Sequence, residues 1–71
     1  MERFGEKLRT LRKRQGMTLR ELTPALGLIS YGYISEIENG KKKPPTELVI
    51  KVALFFNVST DQLLMDDLEL D

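Results

Sequence analysis

Apolar residues recur at helical spacing along nearly the whole chain. Phe4, Leu8 and Leu11 lie four and three positions apart, on one face of a first helix that stops near Gly16. Thr18 with Glu21 three positions on is a capping box, which predicts a second helix with Leu22 and Leu26 as its inner stripe and Gly27 as its end. Ser30 is placed to cap a third helix running to Glu38 or Asn39, with Ile34 and Ile37 turned inward and Ser35 and Glu36 on the other side. Pro44-Pro45-Thr46 breaks the chain and opens a fourth helix, where Leu48, Val52, Phe55 and Phe56 are expected to supply most of the core; Asn57 closes it. Ser59 with Gln62 makes a second capping box, for a short fifth helix containing Leu63 and Leu64. Only Leu68-Glu69-Leu70-Asp71 alternates with the period of a strand. The expectation is an all-α, compact five-helix bundle.

Composition removes several kinds of chemistry. With no cysteine and no histidine, there is no disulfide framework, no thiolate zinc site and no imidazole for acid–base work. Metal-dependent or triad-type catalysis is therefore not expected, and the chain is read as a non-enzyme needing no metal and no cofactor. At 71 residues it is one domain, small enough to bury only ~60% of its unfolded surface. No apolar run approaches the ~18 residues of a membrane span, and the first residues lack a signal-peptide core, so a cytoplasmic protein without a membrane partner is expected.

Net charge is zero, but the charges are segregated. The first twenty residues carry seven bases, Arg3, Lys7, Arg9, Arg12, Lys13, Arg14 and Arg20, against two acids, whereas the end from Asp61 carries five acids and no base. Such a chain can offer a basic face while staying neutral in total. Lys41, Lys42 and Lys43, directly after the glycine stop at Gly40, are placed where a phosphate backbone can lie against them.

Two short helices joined by a turn at Gly27 have the layout of a helix-turn-helix. From Gly5 to Leu64 the chain resembles the phage repressor and Cro family of small helix-turn-helix proteins, the XRE family. The resemblance is carried by Leu8, Leu11 and Arg12; Gly16-Met17-Thr18; Glu21-Leu22; Leu26-Gly27; Tyr33-Ile34-Ser35; Ile37-Glu38-Asn39-Gly40; Pro44, Leu48 and Ala53; Val58-Ser59; and Asp61-Gln62-Leu63-Leu64. It implies a lambda-repressor-like domain over residues 1–65, with 66–71 an acidic C-terminal tail, and double-stranded DNA as the partner.

In that family the third helix enters the major groove and the second crosses the backbone. The resemblance then makes Tyr31, Gly32 and Glu36 base-facing, with Ser30 and Ser35 beside them. Tyr31 has two uses, stacking on a thymine methyl or donating its hydroxyl to a base or phosphate; Gly32 only permits close approach. Glu36 accepts from cytosine N4 but is repelled by phosphate. Asn39, Lys41, Lys42 and Lys43 match the loop that holds phosphates, and the amides near Thr18 and Leu19 sit at a helix start that attracts another. Leu19 stands where the family usually has a glutamine, which removes one side-chain contact. Arg12 and Glu38 match an internal ion pair that orients the reading helix.

The chain departs from the family in two places. One extra residue lies between Gly27 and Tyr33, so the third helix is expected to start later or swing slightly. Pro24 falls inside the second helix, where a kink or early loosening is expected, at about 3 kcal/mol in a regular helix. Members of the family commonly bind palindromes as dimers; Phe56, Val58, Leu64, Met65, Leu68 and Leu70 are the candidate dimer surface, with Leu68 and Leu70 pairing as strands unless residues 66–71 form a frayed acidic tail. Two functions remain open: a dimeric repressor on a palindromic operator, or an antitoxin or adaptor whose main partner is a protein such as a toxin.

Overall fold

A computed structural model describes residues 2–70; Met1 and Asp71 lie outside the described residues, including the parts of the 1–65 and 66–71 assignments that fall on them. Five helices follow in order: α1 (Phe4–Arg14), α2 (Leu19–Ala25), α3 (Tyr31–Glu38), α4 (Thr46–Phe56) and α5 (Thr60–Leu64). No strand occurs among the described residues. Helix α3 lies against α1 and α2, while α5 bridges α4 and α1.

Local chemistry sets the helix bounds. Both capping boxes form: the Glu21 amide donates to Thr18 Oγ1 at 3.1 Å and the Thr18 amide to Glu21 Oε1 at 2.8 Å. Ser59 and Gln62 repeat the exchange at 3.0 Å in each direction. Helix α2 includes Pro24 and ends one residue later, at Ala25, with Leu26 as its C-cap. A proline at this position removes only the donor to the Arg20 carbonyl, at the exposed start of the helix. Asn57 closes α4 in the left-handed conformation, at φ 55° and ψ 49°.

The core gathers Phe4, Leu8 and Leu11 of α1, Leu22 and Leu26, Ile34 and Ile37 of α3, Leu48, Val49, Val52 and Ala53 of α4, and Leu63. Phe55 was expected among them but is turned outward and 44% exposed, its ring edge-on to Phe56. The buried stripe of α4 is Leu48, Val49, Val52 and Ala53, with Phe56 only partly buried beside it, which leaves Phe55 outside the stripe.

The C-terminal segment up to Leu70 is tied to the start of the chain rather than frayed. The Asp66 carboxylate accepts the amides of Glu2 and Arg3, both at 3.0 Å. The Arg3 guanidinium donates to the Asp66 carbonyl and to both carboxylate oxygens of Glu69. Lys7, only 1% exposed, donates to the carbonyls of Gln62, Met65 and Leu68 at 2.5, 2.8 and 2.6 Å. Leu70, with Phe56, Val58 and Leu64, is partly buried and packs against the core, whereas Met65 and Leu68, the other two residues proposed for a dimer surface, are exposed. The amides of Arg3 and Glu2 hold the Asp66 carboxyl below its ordinary range, and Arg3 does the same for Glu69. The positive excess of the first twenty residues is thus partly taken up inside the domain.

Candidate nucleic-acid interface

Helix α3 is held by one face. Ile34 and Ile37 are 0% and 1% exposed, and burial of this kind stabilises by roughly 1.5–3 kcal/mol per side chain. The other face is left to solvent at its N-terminal end: Ser30, Tyr31 and Gly32 are exposed, and Ser35 and Glu36 are half-buried. Ser30 occupies the N-cap with extended dihedrals, but its side chain makes no capping bond. The Arg20 guanidinium of α2 lies 5.0 Å from the centre of the Tyr31 ring and covers one of its faces.

The turn before α3 is built on two backbone bonds, from the Gly27 amide to the Pro24 carbonyl and from the Leu28 amide to the Thr23 carbonyl, each 2.9 Å. The extra residue of this connection does not displace Ser30 from the N-cap of α3. It leaves Ile29 fully exposed, at 101% of its reference area.

At the other end, α3 stops on the same motif. The Gly40 amide donates to Ile37 and the Lys41 amide to Glu36, at 3.1 and 2.9 Å, with Gly40 at φ 75°, where a side chain would be strained. The chain then turns out into Lys41, Lys42 and Lys43, all exposed. Lys42 Nζ stands 3.5 Å from Glu36 and 5.6 Å from the centre of the Tyr33 ring. It therefore offsets the negative charge that Glu36 adds to this face.

Arg12 and Glu38 are brought together in a two-pronged contact. Arg12 Nε and Nη2 donate to the Glu38 carboxylate at 2.8 and 3.0 Å, Nη1 donates to the Met17 carbonyl at 2.9 Å, and Glu38 keeps 2% of its side-chain exposure. The carboxylate holds the Arg12 guanidinium above its ordinary pKa. Arg9 joins from the same face of α1, 3.4 Å from Glu38 and bonded to the Asn39 side chain. Asn39 Nδ2 also reaches Ser35 Oγ at 3.4 Å. The network fixes the angle of α3 on α1.

Gly5 permits that approach. A Cβ there would stand 2.3 Å from the Ile37 carbonyl oxygen and 2.6 Å from that of Glu38. At the start of α2, the Thr18 amide is already taken by Glu21, whose carboxyl it holds below its ordinary range, and Leu19 packs partly against the core. That helix start is less open to an anion than its sequence implies. Arg9, Arg20, Ile29 and Gly5 escaped sequence reasoning. Only Arg9, one turn before Arg12, carried a local signal.

The assembled face sets exposed polar and aromatic groups at one end of a rigid helix and a row of cations at the other. Among the described residues no group of acids is placed to hold a metal, and no helix is long and apolar enough to cross a membrane. A family model described as helix-turn-helix matches residues 8–63. The chain is 38% identical over 65 residues to the transcriptional regulator ClgR of Mycobacterium tuberculosis, covering 92% of this chain and 57% of that protein. It is 45% identical over 51 residues to the HTH-type transcriptional repressor RghR of Bacillus subtilis, covering 72% of this chain and 37% of that one. The crystal structure of the clp gene regulator ClgR from C. glutamicum superposes with a TM-score of 0.76 at 39% identity, covering 90% of this chain and 82% of that one. The chain thus spans little more than half the length of the first of these relatives, and less of the second.

Proposed function

The chain belongs to the helix-turn-helix family of XRE type, and on that premise we propose that it is a sequence-specific DNA-binding transcriptional regulator, acting in the cytoplasm as a repressor. The observation that carries this reading is the division of α3: Ile34 and Ile37 are locked in the core, while the Ser30–Gly32 end is exposed and three exposed lysines follow the helix's other end. A helix fixed in this way enters a major groove with its N-terminal residues toward base edges. The names borne by its relatives, regulator and repressor, agree with it.

Each candidate residue then has a task. Tyr31, with one ring face under Arg20, donates its hydroxyl to a base or phosphate; Gly32 lets the backbone come close; Ser30 and Ser35 hydrogen-bond beside them. Glu36 accepts from cytosine N4, with Lys42 offsetting its repulsion of phosphate. Lys41, Lys42, Lys43 and Asn39 take phosphates, and the first-turn amides of α2 at Leu19 add a weaker contact. A single domain grips a half-site, so a homodimer on a palindrome is proposed. Its surface draws on the outer face of α4, where Ile50, Leu54 and Phe55 are 47%, 78% and 44% exposed, and on Met65 and Leu68.

Enrichment of random duplexes on the purified protein tests this. A two-fold symmetric site should emerge, and its affinity should fall steeply as salt rises, because phosphate contacts release counterions. Failure to enrich any duplex, or binding indifferent to salt, would refute it and point to a protein partner.

A further inference from the structure

Ile29 is the most exposed of the large apolar residues, at 101% against 78% for Leu54. Single exposed apolar side chains are ordinary on protein surfaces. Most of them sit on helices whose buried stripe is narrower than their apolar content, as Leu54 does on α4. Ile29 is different in place and in support. It lies in the turn, one residue before the N-cap of α3. Leu28 behind it is anchored, partly buried against the core and bonded through its amide to the Thr23 carbonyl at 2.9 Å. Ser30 ahead of it is fixed in extended N-cap geometry. The side chain is β-branched and stiff, so an apolar knob is held out from the protein with little freedom left to lose on contact. It borders the same shallow hollow as Arg20 and Tyr31, at the end of α3 assigned above to base reading.

We infer that Ile29 is a specificity-determining residue that contacts the C5-methyl group of a thymine in the major groove. Of the features that base pairs present there, that methyl is the apolar one, and an isoleucine offers neither donor nor acceptor for the rest. Arg20 beside it supplies the cation that holds the neighbouring backbone close. The inference rests on the DNA-binding reading, and it explains what the extra residue of this turn contributes.

The test uses the duplex enriched by the full chain, resynthesised with uracil in place of one thymine at a time, which removes only the methyl. Wild-type protein should lose affinity about four-fold at one thymine per half-site, the loss expected for one buried methyl, and be indifferent elsewhere. In Ile29→Ala that position should become indifferent, while Ile29→Val should retain part of the preference; melting temperatures of both variants should match the wild type, because the side chain touches no core residue. A flat uracil scan in the wild type would overturn the inference and leave the DNA-binding reading standing. So would a methyl preference that survives in Ile29→Ala and disappears in Tyr31→Ala. If no duplex is enriched at all, both fall together.

Discussion

Glu38→Ala should remove a large part of the stability of this domain. The carboxylate is 2% exposed and accepts from Arg12 at 2.8 and 3.0 Å and from Arg9 at 3.4 Å. Deleting it leaves the Arg12 guanidinium, itself only 11% exposed, with the Met17 carbonyl as its remaining partner. Breaking a buried pair from one side typically costs about 3–5 kcal/mol, because the surviving charge stays desolvated. At roughly 0.05–0.15 kcal/mol per residue, a 71-residue domain has about 4–11 kcal/mol in all. Urea unfolding followed by far-ultraviolet circular dichroism measures the difference. With a slope of about 1 kcal/mol per molar, the midpoint should fall by roughly 3 M or the protein should be unfolded without denaturant. Replacing both partners, Arg12→Met with Glu38→Met, should recover most of the loss, since the pair contributes orientation more than net stability. A Glu38→Ala midpoint within about 0.5 M of the wild type, on that same slope, would refute the argument.

Gly5→Ala should destabilise by about 1–3 kcal/mol through overpacking against the Ile37 and Glu38 carbonyls, and should weaken duplex binding as well because α3 is pushed off α1; an unchanged melting temperature would contradict the close approach. Asp66 and Glu69 have folded pKa values below their ordinary 3.8 and 4.5, so their contribution is complete above that range and is lost as pH falls through the folded values. Thermal melts should therefore be flat from neutral pH to about 5 and decline below about 4.5, with a shallower decline in Asp66→Asn. Lys42→Ala should weaken all duplexes alike and reduce the salt slope by about one unit, whereas Glu36→Ala should change which sequences are preferred; altered preference in Lys42→Ala would refute its assignment to phosphate.

Much of this molecule was legible one helix at a time. Thr18 with Glu21, and Ser59 with Gln62, are local devices whose partners lie three residues away, and both formed as the spacing required. Gly16, Gly27 and Gly40 marked the ends of α1, α2 and α3 because a left-handed residue is a property of the chain at that point. The inward isoleucines of α3 followed from period alone. Phe55 did not, because on an apolar helix the period does not decide how wide the buried stripe will be.

By itself, then, the order of residues determined where helices begin and stop and which side of α3 is apolar, since those outcomes depend on neighbours within about one turn. Although the Arg12–Glu38 pair was already implied by the family resemblance, tertiary structure decided most of what joins residues far apart in the chain. It buried Lys7 under the carbonyls that close α5, tied the acidic end to Arg3, set Gly5 against the backbone of α3 and laid Arg20 over Tyr31. A charge count along the chain sees only how many bases and acids are present. Which of them neutralise one another, and which are left to meet a partner, is settled by distances that exist only after the helices have packed.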